Sequence, residues 1–165
     1  MTHLLADFKL EPIGIVEEGI SRAKPERVRK SRFQVISRVR VFDPYLEGLG
    51  RLEDYSHIII VWLMDKAGKV RLKVPPWRSL DHADVGIFAT RFPVRPNHIG
   101  VSVVQLVHIS KNRLMVKGFD AWTGTPILDI KPYDYYDIVK SPRVPNWFLK
   151  AWKERAIKRK AAGWG

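Results

Sequence analysis

Two stretches of this chain gather side chains that can do chemistry. The first is Gly86-Ile-Phe-Ala-Thr-Arg-Phe-Pro-Val-Arg-Pro-Asn-His-Ile-Gly-Val-Ser102. Arg91 and Arg95 stand four residues apart, with Pro93 between them and Pro96 directly after. Proline fixes the backbone, so both guanidiniums are held in a shaped loop, the form in which arginine grips carboxylates and phosphates. Gly100 lets the backbone come close to a ligand. The second stretch is Phe119-Asp-Ala-Trp-Thr-Gly-Thr-Pro-Ile-Leu-Asp-Ile-Lys-Pro-Tyr133. Thr123-Gly124-Thr125 offers two hydroxyls and accessible backbone donors. Asp129, Lys131 and Tyr133 alternate, so an extended segment projects them to one side. Salt-bridged turns closing a barrel would carry the same residues, and the spacing alone leaves both readings open.

Other chemistries are absent. The five histidines (His3, His57, His82, His98 and His108) show neither His-x-His nor His-x-x-x-His spacing, so no metal site is expected. The chain has no cysteine, which excludes disulfides, thiolate zinc sites, iron–sulfur clusters and a cysteine nucleophile. No Gly-x-Ser-x-Gly elbow occurs, and Ser56-His57, adjacent in sequence, is not a triad. His57 opens an apolar run and reads as a structural residue. Neither a Gly-x-Gly-x-x-Gly turn after a strand nor a P-loop is present.

The segments that must position these motifs are mostly short strands. Leu10–Val16 is β-like, and Pro12 makes it an edge strand or a strand start. Within 35–42, Val35, Ser37, Val39 and Val41 share one face, while Arg38 and Arg40 share the other with Ile36 and Phe42. That alternation predicts a strand with a partly solvated basic face. Asp43-Pro44 predicts a short helix before Tyr55, with an acidic N-cap followed by proline. Ile58–Met64 is apolar on both faces and predicts a fully buried strand. Val70–Val74 alternates and stops at Pro75-Pro76, and Val85–Thr90 predicts a further short strand. Val101–Ile109 and Arg113–Asp120 flank Ser110-Lys-Asn-Arg113 and predict a hairpin. Ile127–Ile130 completes the series. Short, turn-punctuated strands without regular helices between them argue for a mainly β fold, a barrel or a sandwich, and against a doubly wound one. Asn146 caps a predicted helix from Trp147 to Ala162, with Gly163 as its stop. The expected division is a β domain at 1–142 and a C-terminal basic helix or tail at 143–165.

At 165 residues, with 45% hydrophobic and 11% aromatic side chains, the chain can bury a sizeable core in one domain. Its 29 basic and 17 acidic residues leave a net charge of +12. That excess predicts an anionic partner: nucleic acid, a phosphorylated ligand or a membrane surface. Basic residues crowd Ser21–Arg32 and the tail, where Lys153, Arg155, Lys158, Arg159 and Lys160 face one acid, Glu154. Both are candidate contacts for RNA phosphates, and the second also suits a helix C-terminus. No apolar run approaches the ~18 residues of a membrane-spanning helix. The first residues carry an acid and no basic region, so no signal peptide is expected and the expected location is cytoplasmic. Two Gln, three Asn and three Met among many charges predict a thermophilic source.

Taken together, the motifs resemble those of one family. Phe88-Ala-Thr-Arg-Phe-Pro-Val-Arg-Pro-Asn-His-Ile-Gly-Val-Ser102, then Gly124-Thr-Pro-Ile-Leu-Asp-Ile-Lys-Pro-Tyr133, looks like the signature of the TsaA-like family, also called YaeB or TrmO. Leu10-Glu-Pro-Ile-Gly14 and Leu52-Glu-Asp-Tyr-Ser-His57 match its opening pattern and strand start. The resemblance covers about residues 8 to 137 and implies a single-sheeted β-barrel, usually a homodimer. It implies methyl transfer from S-adenosylmethionine to N6 of N6-threonylcarbamoyladenosine at tRNA position 37. The implied cofactor contacts are Asp65, Lys66, Arg91, Val101, Thr123, Gly124, Thr125 and Pro126. Arg95 and Lys131 join Arg155, Lys158, Arg159 and Lys160 as RNA-binding candidates. A carbamoylated N6 is a poor nucleophile while it keeps its proton, so Asp129 and Tyr133 are candidates for a base.

Three positions depart from the family pattern. Thr123 replaces an Asp before Gly-Thr-Pro, Phe92 replaces the Ser of Arg-Ser-Pro, and an early Pro-Arg-Gln segment has no match. A same-family enzyme with another substrate and a non-catalytic RNA-binding barrel are the alternatives. Trp62, Trp77 and Trp122 supply more aromatic surface than one small core needs, which agrees with a homodimer.

Overall fold

A computed structural model describes residues 9–20, 34–75, 84–150 and 152–153. The Ser21–Arg32 connection, Trp77 and the tail cations Arg155, Lys158, Arg159 and Lys160 lie outside the described residues. In chain order the strands are β1 (Gly14–Glu18), β2 (Ile36–Val41), β3 (His57–Leu63), β4 (Lys73–Val74), β5 (Val85–Gly86), β6 (Ile99–Ser110), β7 (Arg113–Lys117) and β8 (Pro126–Pro132). Six of them close one antiparallel barrel in the order β1-β2-β7-β6-β3-β8, with β8 pairing back onto β1. The barrel is thus the outcome, and a two-sheet sandwich is not. Closure also removes free sheet edges, so Pro12 precedes a strand with neighbours on both sides.

The described residues fall in two compact units. The barrel lies within Met1–Ala67 and His98–Tyr135, and the second unit within Gly68–Asn97 and Tyr136–Gly165. The barrel interior is filled largely by β-branched side chains at alternate positions. Val39, Ile58, Ile60, Leu114, Val116, Phe119 and Ile127 are fully buried there. Each such side chain contributes about 1.5–3 kcal/mol relative to exposure. Ser37 is the polar member of this inward face, and its hydroxyl donates to the Phe119 carbonyl at 2.8 Å. Burying it therefore leaves no unpaired group.

Arg38 and Arg40 lie on the outer face of β2, as the alternation predicts, but they are paired. Arg38 Nη1 meets Glu18 Oε1 at 2.7 Å, and Arg40 Nε lies 3.7 Å from Glu17 Oε1. A β-bulge at Glu17 lets its carboxylate reach past β2 to β7. There Arg113 donates twice, from Nε at 2.7 Å and Nη2 at 2.9 Å. Those hydrogen bonds hold the Glu17 carboxyl below its ordinary range and raise Arg113 above its own. The basic face expected from sequence is therefore largely neutralised by two acids of β1.

Several local expectations change. The Asp43-Pro44 helix is a 3-10 segment, Asp43–Leu49, with Phe42 rather than Asp43 at the cap position and no side-chain cap. It buries no side chain fully and packs only Leu49 against the core, so no continuous apolar face selects α over 3-10 geometry. β3 is not buried on both faces: Ile58 and Ile60 are, whereas Ile59, Val61 and Trp62 are half-buried. In the second unit, Val70–Val74 shrinks to the two-residue β4, and Arg71 and Leu72 instead bond to Val94 and Ile87. Val85–Thr90 becomes β5 followed by a 3-10 turn, Ile87–Ala89. The late helix takes in 146–150 and 152–153, so Asn146 is its first residue, and the Pro145 carbonyl accepts from Phe148 and Leu149. Proline suits a helix start, where no amide donor is needed.

Trp62 is not spare surface. Its indole packs against the barrel core edge-to-face with Phe119, at 5.7 Å between centroids, and Nε1 donates to Ser102 Oγ at 3.1 Å. Directly opposite on β6 stands Gly100, where an added Cβ would overlap the indole. The opening that glycine leaves here is thus filled by Trp62 and not by a ligand.

Candidate active site

Antiparallel pairing brings several motif residues onto one outer wall. Along β3, Ile59 and Val61 alternate with the buried Ile58 and Ile60 and so face outward. Their β6 partners are Val103 and Val101, and their β8 partners are Lys131 and Asp129. One row therefore reads Val101–Val61–Asp129 and the next Val103–Ile59–Lys131. A third row joins Gln105 to His57, whose ring lies edge-to-face with Tyr133 at 6.4 Å. Val101, Asp129, Lys131 and Tyr133, which belong to two separate motifs, thus share the outer face of β6–β3–β8. Val101 is 55% exposed, and the side chains of Asp129 and Lys131 are 44% and 60% exposed.

A bulge makes this possible. Val61 pairs with Asp129 while Trp62 pairs with Ile127, so Leu128 has no partner in the ladder. Ile127 can then point inward and Asp129 outward, two residues apart. The Asp129 carboxylate is held from both sides. Oδ1 accepts the Ile130 amide at 2.8 Å, and Oδ2 meets Lys131 Nζ at 2.6 Å. His57, structural on the sequence reading, has Nδ1 3.0 Å from Ser56 Oγ. Its placement beside Tyr133 is not legible in the sequence, because register is set by pairing and not by spacing within one strand.

The Asp65-Lys66 turn and the Thr123–Pro126 turn meet where β3 ends and β8 begins. The Met64 amide donates to the His98 carbonyl at 2.7 Å and the Ala67 amide to the Met64 carbonyl at 2.9 Å, which fixes the turn carrying Asp65 and Lys66. Lys66 Nζ reaches the Thr123 carbonyl at 3.5 Å. Gly124 has φ +88°, a left-handed conformation that glycine adopts without a Cβ clash. The two hydroxyls here have unequal freedom. Thr123 Oγ1 accepts the Gly19 amide at 3.0 Å, and Thr125 is buried. The turn presents a lysine ammonium and a bare glycine, with its backbone tied to Val16 through Gly124 and Thr125. His98, at the mouth of β6, has φ +48° and a buried Nε2 without a hydrogen-bond partner among the described residues.

The second unit holds the paired arginines. Arg95 Nη1 donates to the carbonyls of Thr90 and Phe92, both at 3.2 Å, and so braces its own loop. Thr90 adds a hydroxyl bond to the Ile87 carbonyl and accepts the Phe92 amide. Arg91 is exposed and has no hydrogen-bond or ion-pair partner among the described residues. No cluster of potential metal ligands occurs among the described residues.

Residues 22–138 match the family described as the tRNA-methyltransferase O N-terminal domain. The chain is 39% identical over 125 residues to an S-adenosyl-L-methionine-binding protein of Archaeoglobus fulgidus, covering 75% of this chain and 88% of that one. It is 36% identical over 130 residues to the human tRNA (adenine(37)-N6)-methyltransferase, covering 74% of this chain and 29% of that one. Among solved structures, TrmO from P. aeruginosa superposes with a TM-score of 0.65 at 30% identity, covering 87% of this chain and 63% of that chain. The long motif at 88–102, the Gly124–Tyr133 run and the six-stranded barrel that carries them agree with these matches: this chain belongs to the TsaA-like family, that of the tRNA-methyltransferase O N-terminal domain.

Proposed function

We propose that this chain is an S-adenosylmethionine-dependent tRNA methyltransferase that modifies N6 of the adenosine at position 37, and that its substrate there is N6-threonylcarbamoyladenosine. The observation that carries the reading is the shared outer wall, which groups Val101, Asp129, Lys131 and Tyr133. The residues fit the cofactor. Lys66 offers a cation for its carboxylate, and His98 Nε2 is a buried polar atom without a partner among the described residues. The named relatives bind S-adenosylmethionine or methylate tRNA adenine 37. The same contacts also fit a same-family enzyme with another substrate; a decayed, non-catalytic barrel has no observation in its favour.

When bound, S-adenosylmethionine supplies a methyl group on an electrophilic sulfonium. Transfer of that methyl to N6 would require the N6 proton to be taken up by a group of the protein. Asp129 is the acceptor in this reading, because its oxygens keep lone pairs beyond those given to Ile130 and Lys131. Lys131 orients that carboxylate, and Tyr133, backed by His57, positions the base. The apolar Val61 and Val101 beside Asp129 limit water around the reacting nitrogen. Arg91 and the tail cations Arg155, Lys158, Arg159 and Lys160 contact anionic groups of cofactor and tRNA.

The protein acts in the cytoplasm as a homodimer, in which Val103 and Val107, about half exposed on β6, are covered by the second copy. No helix among the described residues is long and apolar enough to cross a membrane. Mass spectrometry of tRNA nucleosides from a deletion strain tests the reaction and the substrate together. Loss of N6-methylated threonylcarbamoyladenosine is expected, with the unmethylated nucleoside in its place; an unchanged profile sinks the substrate assignment. Removing residues 153–165 is expected to leave cofactor binding intact and to lower the salt slope of tRNA binding by roughly 0.7–0.9 for each phosphate that the tail no longer neutralises.

A further inference from the structure

His98 combines two unfavourable features that nothing within the described residues relieves. Its φ of +48° lies in the left-handed region, where a Cβ crowds the backbone. Its Nε2 is buried without a hydrogen-bond partner, a state that folded proteins ordinarily avoid. Glycine would remove both features and asparagine would ease the first, since both tolerate this backbone better. The chain keeps histidine at the point where its carbonyl receives the Met64 amide at 2.7 Å, one residue before the Asp65-Lys66 turn. Backbone strain and an orphaned polar atom at one residue are the features that mark a place where a ligand can complete the structure.

We infer that His98 Nε2 is a hydrogen-bonding contact for S-adenosylmethionine and sets how tightly it is held, an inference that rests on the cofactor reading above. An imidazole nitrogen donates or accepts according to tautomer, so either half of the cofactor can satisfy it. The nucleoside half offers an adenine edge and ribose hydroxyls; the amino-acid half offers an ammonium and a carboxylate. His98 is a binding residue here, with no part in moving the N6 proton.

The test uses the full chain labelled with ¹⁵N-histidine and, separately, on its backbone amides. S-adenosylhomocysteine, adenosine and methionine are titrated in turn. The His98 Nε2 resonance, assigned by its loss in His98→Asn, is expected to move with S-adenosylhomocysteine and to saturate together with the Lys66 and Gly124 amides. A matching shift with adenosine or with methionine identifies the half it touches. In His98→Asn, affinity for S-adenosylhomocysteine is expected to fall about tenfold, the loss of one hydrogen bond to a polar ligand, while Tm holds or rises. Movement of Lys66 and Gly124 with His98 silent, or unchanged affinity in His98→Asn, overturns the assignment and leaves the cofactor reading standing. A Tm that falls in both His98→Asn and His98→Gln, with affinity falling alongside it, makes the residue structural and also overturns it. If no resonance of the protein moves, the cofactor reading itself fails.

Discussion

Two outer walls of the same barrel are built on opposite principles. On β1–β2–β7, Glu17 and Glu18 engage Arg38, Arg40 and Arg113, so two carboxylates offset most of the charge of those three guanidiniums. On β6–β3–β8, valines and isoleucines stand half-exposed beside Asp129, Lys131, His57 and Tyr133. The first wall presents a closed set of ion pairs with little left to offer a ligand. The second leaves apolar area and polar groups open to solvent, which a stable surface has no reason to keep unless something covers it. Charge density alone is thus a poor guide to function: the wall with more arginines is the scaffold, and the wall with more valines carries the candidate chemistry.

The sharpest way to break this contrast is to disable one residue on each wall. Asp129→Asn is expected to lower kcat by about 10²–10⁴-fold with the fold intact, the usual worth of a general base. Arg113→Ala is expected to leave kcat within about twofold, since exposed ion pairs contribute little. Single-turnover methylation assays compare the two, and similar losses would erase the distinction between the walls. Next in size is a change where the second wall meets the core. Gly100→Ala is expected to destabilise by about 1–3 kcal/mol, because its Cβ overlaps the Trp62 indole. Denaturant titration measures it, and Trp62→Phe in the same background should recover part of the loss.

A smaller effect separates an arginine held by its neighbours from one left open. Arg91→Ala is expected to weaken S-adenosylmethionine binding about tenfold, while Arg38→Ala, whose guanidinium is paired to Glu18, leaves it unchanged. Calorimetry decides, and equal affinities would remove Arg91 from the site. The smallest expected effect is a pH dependence on the ion-paired wall. The Arg113 hydrogen bonds hold the Glu17 carboxyl below its ordinary value of 4.5. Its contribution is therefore complete above about pH 4.5 and is lost as pH falls through the lowered value. Thermal melts of Glu17→Gln should lie closest to wild type at acidic pH and diverge as pH rises past that point; a difference independent of pH would contradict the cause.

Much of this architecture is legible in the residues. The Ser37, Val39 and Val41 alternation marks the inward face of β2, and Ser110-Lys-Asn-Arg113 marks the hairpin between β6 and β7. What escapes is whatever depends on a partner strand. β3 looks buried on both faces because Ile59 and Val61 are apolar, yet their outward position follows only from pairing with β6 and β8. Arg95 looks like a ligand arginine, but the carbonyls that its guanidinium meets are those of its own loop. Gly100 requires knowing that Trp62 stands opposite. The Asp129, Lys131 and Tyr133 alternation is visible, but the face it selects is not.

That face depends on Leu128. In a strand the side-chain direction is a parity, and the unpaired residue resets that parity partway along β8. Pairing Leu128 into the ladder, with no residue removed, would make that count unbroken. Either Ile127 would swing out of the core, or Asp129, Lys131 and Tyr133 would turn inward, where a carboxylate and an ammonium have no water. A single-codon deletion at this point has the opposite result: Ile127 and Asp129 become neighbours and keep their opposite faces without the bulge. The bulge behaves as a reading frame for the wall, and homologous chains are expected either to keep one bulged residue of varied type here or to lack it together with the bulge.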